Sequence, residues 1–134
     1  MKKTCFVFIP LFILAACTDQ KKQEQSMLDS VIKVHEKVMG EDEQLMKNKA
    51  LLDSLSKHNP AIKDSINSYV AKVTLADSAM DTWMHNFNPD LTGKTHEQIV
   101  TYLSGQKRLV IKVDSQVNAA RITSDRFLEK FATK

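Results

Sequence analysis

The sequence predicts an all-α fold: an elongated, antiparallel, coiled-coil-like three-helix bundle behind a short N-terminal leader. Three observations predict it. Helix breakers are scarce, since the 134 residues hold three Pro and three Gly, and Pro60 and Pro89 stand where the apolar pattern lapses. Between those breaks, apolar residues recur at alternating steps of three and four, the period of one helix face and not of a strand. The links near 58–59 and 88–94 are short, which makes successive helices antiparallel neighbours.

The first helix is expected at about residues 26–57. Met27, Val31, Val34, Val38, Leu45, Leu52 and Leu55 occupy a and d positions of a heptad, with Glu41 and Asn48 as polar interruptions. Gly40 within it costs about 1 kcal/mol relative to Ala and marks a place for a kink. Asn59-Pro60 opens the second helix, with Asn as N-cap and Pro at the first helical position. Its stripe, Ile62, Ile66, Tyr69, Val73, Ala76, Met80, Trp83 and Phe87, is the most regular in the chain. Asn88-Pro89-Asp90 ends it, because Pro disfavours helical geometry in the residue before it.

Thr95-His96-Glu97-Gln98 matches a capping box and opens the third helix. Leu103, Val110, Val113, Val117, Ala120, Phe127 and Phe131 form its stripe, interrupted by Gln106 and Ser124. The run Leu109 to Val113 has strand composition, but helical periodicity on both sides outweighs it.

Met1-Lys2-Lys3 is a basic start followed by the apolar stretch Phe6 to Leu14, the layout of a secretory signal too short to span a bilayer as a mature helix. Leu14-Ala15-Ala16-Cys17 resembles the lipobox of bacterial lipoproteins. That resemblance implies cleavage before Cys17, acylation of its thiol with palmitate-type chains, and anchorage in a membrane of the bacterial cell envelope. The competing reading is an ordinary signal peptide or an uncut apolar anchor. The expected organisation is therefore a signal peptide at 1–16, lipidated Cys17 with a flexible polar tether at 17–25, and a bundle domain at 26–134.

Cys5 is the only other cysteine and lies in the leader, so no disulfide is expected in the mature chain. The roughly 118 remaining residues suffice for one packed core. Without Lys2 and Lys3 the chain carries 17 basic and 16 acidic residues, and no basic stripe with interleaved aromatics argues for nucleic acid.

Catalytic patterns are incomplete. Gly93-Lys94-Thr95 lacks the upstream Gly and the strand of a phosphate-binding loop. His35-Glu36 and His96-Glu97 each lack the second His of a zinc-protease helix, and no Ser stands in a nucleophile elbow. Glu41-Asp42-Glu43 reads as a solvated face. These absences point to a non-enzymatic chain acting through helix-face contacts, with a second copy or another envelope protein as partner and without a cofactor.

One constellation carries a sharper alternative. Folding the first two helices about residues 58–59 sets His35 opposite residue 82, and so brings His35, Met39, Met80 and Met84 to one height, beside Trp83 and His85. The third helix is expected to add Thr101 to Gln106, and Gly40 and Gly105 leave either close backbone approach or a notch. Thioether and imidazole donors suit Cu(I), and each pair lies one helical turn apart. The alternative function is therefore a periplasmic Cu(I)-binding protein. Against it, Met80 and Trp83 occupy core positions, and Met readily fills irregular gaps.

Met80-Asp81-Thr82-Trp83-Met84-His85-Asn86-Phe87-Asn88-Pro89-Asp90, together with His35-Glu36-Lys37-Val38-Met39, resembles a family of small bacterial envelope lipoproteins commonly labelled "viral A-type inclusion protein". The resemblance spans most of the mature chain and implies a small helical lipoprotein. It carries no activity, ligand or site residue with it.

Overall fold

A computed structural model describes residues 13–132, with side chains from 18 to 131. Residues 1–12 of the expected signal peptide, and the Cys17 side chain, lie outside the described residues. Three α-helices pack side by side: α1 (Ile13–His58), α2 (Lys63–Asn86) and α3 (His96–Ala132). No strand occurs among the described residues, and 109–113 is helical.

α1 is about 69 Å long at ~1.5 Å per residue. It begins well before residue 26, so the expected tether at 18–25 is helical. The segment lacks apolar periodicity, but Gln, Lys and Glu are good helix formers and nothing between 13 and 58 breaks the helix. Glu24 then reaches α3, where its Oε1 lies 2.7 Å from His96 Nδ1. Gly40 causes no interruption. A Cβ added at Gly40 or Gly105 would meet nothing within 4 Å, so neither glycine serves a close backbone approach.

The turn into α2 differs from the expected N-cap. Asn59 donates from Nδ2 to Leu55 O at 3.1 Å, closing the C-terminus of α1, and makes no forward cap. Pro60–Ile62 form a single 3-10 turn, and α2 starts at Lys63. At the other end, the chain leaves α2 through Phe87. The Tyr102 hydroxyl accepts from Asn88 N at 2.8 Å and donates to Asn88 O at 3.1 Å. Asn88 and Asp90 each accept a backbone N–H two residues on, and Gly93, with φ 77°, takes the left-handed position that closes the turn. The capping box forms in both directions: Gln98 N donates to Thr95 Oγ1 at 3.3 Å, and Thr95 N donates to Gln98 Oε1 at 2.9 Å.

The core follows the heptads. Val31, Val38, Leu45 and Leu52 from α1, Ile66, Val73, Ala76, Met80 and Trp83 from α2, and Val110, Val113, Val117, Ala120 and Phe127 from α3 form one buried cluster. Each fully buried large aliphatic side chain contributes about 1.5–3 kcal/mol. α1 and α3 run parallel, joined by Lys37 to Asp114 and by Asn48 to Ser124. α2 runs against both, as the Tyr69–Phe127 stack at 4.3 Å and the His35–Trp83 contact at 5.5 Å show.

Candidate functional site

The height predicted to hold the Met/His constellation is centred on Trp83. His35 comes from the flank of α1 that faces α2, so its ring packs against the indole at 5.5 Å, and Phe87 stacks on the other side at 4.9 Å. The register expected for α1 and α2 is thus the register found. From α3, Gln106 and Leu109 share a groove with Trp83, while Tyr102 stands one turn away beside Phe87 at 6.4 Å.

The four candidate ligands are in different surroundings. Met80 is 1% exposed, in the core; Met84 is partly buried and packs on the core edge; Met39 is 43% exposed on the outer flank of α1. Met80 is thus an interior residue, His35 is half-buried against the Trp83 indole, and Met39 is open to solvent. Among the described residues, no group of three or more His, Cys, Asp or Glu could hold a metal ion.

Sequence reasoning missed two polar features. Glu41 and Asp42, expected on a solvated face, each carry one buried carboxylate oxygen with no hydrogen-bond partner among the described residues. Burial raises the Asp42 carboxyl above its ordinary value, and the neighbouring Asp77 and Asp81 raise it further. Glu43, by contrast, is solvated and pairs with Lys47 at 2.8 Å. The second feature is a buried polar layer between α1 and α3. Asn48 Nδ2 donates to Ser124 Oγ at 2.9 Å and to Asp125 Oδ1 at 2.6 Å, while Gln44 donates to Asn48 Oδ1 at 3.0 Å. Asn48 and Ser124 were visible as interruptions, but their pairing needed the α1–α3 register.

Three packed helices leave grooves between them. One, of about 560 Å³, lies between α1 and α3 beside the polar layer and is lined by Leu51, Leu55, Leu128, Phe131, Asp125 and Glu129, among others. Two more, of about 310 and 380 Å³, lie end to end between α2 and α3 and share Leu75 and Gln116. Leu75 is 71% exposed and Leu109 51%, both at the α2–α3 grooves. No helix among the described residues is long and apolar enough to cross a membrane. No known protein family, curated protein or solved structure matches this chain.

Proposed function

We propose that this chain is a membrane-anchored lipoprotein of the bacterial cell envelope, acylated at Cys17, which works without catalysis by presenting helix faces to a protein partner. The observation that carries the interaction reading is the α2–α3 face. The three heptad stripes already meet in one core, yet Leu75 and Leu109 stay exposed beside the α2–α3 grooves. Apolar residues clustered at a groove mark contact surfaces more often than isolated exposed ones do. Leu14-Ala15-Ala16-Cys17 supports the anchor. The resemblance to small envelope lipoproteins points the same way.

Because α1 is helical from Ile13, the anchor is a stiff post and not a loose string. Glu24, which contacts α3, lies seven residues from Cys17, about 10 Å along a helix. An acylated Cys17 therefore holds the bundle close to the membrane with a restricted orientation. Chemical cross-linking in intact cells tests the reading. The acylated protein should yield a discrete cross-linked product, weakened in a soluble form secreted behind an ordinary cleavable signal peptide with Cys17→Ala. A chain that is monomeric and yields no product under all cross-linkers contradicts it.

A further inference from the structure

The α2–α3 face shows what kind of partner it fits. We infer that it seats a single amphipathic helix from another protein, one with an apolar stripe of small and medium side chains flanked by acidic residues, completing a four-helix arrangement. This deepens the interaction reading and rests on it.

Shape comes first. From Lys72 to Asn86 the two grooves follow α2 for about 21 Å, close to four helical turns. Their floor and walls include Ala76, Ala79, Ala119 and Ala120, so a docked helix can approach closely. Leu75 stands between the two grooves as a shared wall, which suits a partner that places small residues at that level and larger ones on either side. Helix-in-groove recognition uses this spacing of anchors.

Charge comes second. Lys72 and Lys112 line the grooves, and none of the lining residues is acidic. The carboxylates of this part of the bundle are elsewhere: Asp42 is coupled to Asp77 and Asp81 between α1 and α2, and Asp114 pairs with Lys37 between α1 and α3. Acidic flanks on the partner therefore meet lysines without meeting like charge. The same fact disfavours a second copy, because a two-fold pairing sets Lys72 and Lys112 of one chain against those of the other.

Unmet hydrogen bonds come third. Trp83 is 6% exposed and lines the groove, yet its indole N–H has no acceptor among the described residues. Gln106, on the opposite wall, has a buried carbonyl oxygen with no donor. Both atoms are sealed from solvent, so they form a polar spot beneath the groove that a docked helix covers and does not bond, and Trp83 senses that covering.

Trp83 is the single tryptophan of the chain, so it reports on the groove directly. The probe is a synthetic, tryptophan-free helix with an Ala/Leu stripe and Glu flanks, titrated against the purified protein in phosphatidylcholine nanodiscs. A second peptide replaces every Glu with Lys, and empty nanodiscs correct for lipid binding. The expected result is a saturable change in Trp83 fluorescence with the Glu peptide only. Leu75→Lys, at an exposed position, should weaken that binding at least about tenfold, as loss of an interface anchor does, with helical content and melting unchanged. Lys72→Glu with Lys112→Glu should transfer the preference to the Lys peptide. Three results would overturn the inference: no saturable change with either peptide, equal binding of both, or a Leu75-dependent dimer by sedimentation in their absence. If the peptides fail while cell cross-linking still captures a partner, this assignment of the face falls and the broader interaction reading stands.

Discussion

Asn48 on α1 donates to the Ser124 hydroxyl on α3 at 2.9 Å, and both side chains are almost completely buried. The pair stands within two largely apolar stripes, whose other interruptions are Glu41 and Gln106. A slip of one heptad would set Asn48 against Val117 or Phe131 and leave its amide unsatisfied, so the pair selects one alignment of the two parallel helices. Asn48→Leu should cost about 1–3 kcal/mol in denaturant unfolding, because it strands buried polar partners. Adding Ser124→Ala should recover only part of that loss, since Asp125 and Gln44 still lack their Asn48 partner, with a coupling of about 0.5–3 kcal/mol in a double-mutant cycle. Strict additivity of the two substitutions would contradict the register role.

Met80 packs in the centre of the core, and Met39 lies outside it. Met80→Ala should destabilise by about 2–5 kcal/mol, whereas Lys33→Ala on the solvent side should stay within about 0.5 kcal/mol. Met39→Leu should likewise change stability little, since the two side chains are similar in volume. With Met80 and His35 engaged in packing, the mature protein should take up no stoichiometric Cu(I) against a colorimetric chelator. One Cu(I) per chain, lost in Met39→Leu, would instead favour the copper alternative.

The three stripes were legible because each helix buries one face, so the heptads alone identified Val31, Val38, Ile66, Val73, Met80 and Val110 as core. The capping box at Thr95 was legible for a local reason: both of its hydrogen bonds lie within four residues. Asn59 was misread because an Asn between two helices can close the first or open the second, and local sequence does not separate these choices. The helical state of residues 18–25 was missed because polar residues without an apolar stripe show no periodicity, although each tolerates a helix. Of the candidate site, the His35–Trp83 level followed from hairpin register. The burial of Glu41 and Asp42 did not, because it depends on where α2 and α3 flank α1.

Asp42 makes stability depend on pH in a defined direction. Its carboxyl is raised in the folded chain, first by burial and then by Asp77 and Asp81. Between the ordinary carboxylate value and the raised one, the folded chain keeps a proton that the unfolded chain has released. Stability therefore falls as pH rises through this window, and the loss is complete above the raised value. Asp42→Asn should melt at a higher temperature than wild type at neutral pH, and the gap should narrow as pH is lowered toward about 4. Equal melting temperatures at neutral pH would contradict the burial of a charged Asp42.

The proposed anchor at Cys17 requires a specific chemical species. Multiple acyl chains, at about 0.8 kcal/mol per buried methylene, hold a protein firmly on a membrane. Intact-mass analysis of the membrane fraction should find a chain that begins at acylated Cys17. An unmodified soluble product, or a membrane-bound chain that still carries residues 1–16, would contradict it.

The proposed anchored chain should meet its protein partner at the α2–α3 face. Position-specific photo-cross-linking in intact cells checks this. The cross-linker stands in turn at Leu75, in the groove wall, and at Glu43, which is solvated on α1. One discrete product is expected from position 75, absent from position 43 and lost when Lys72 and Lys112 are both changed to Glu. Products of equal yield from both positions, or none from position 75, would contradict it.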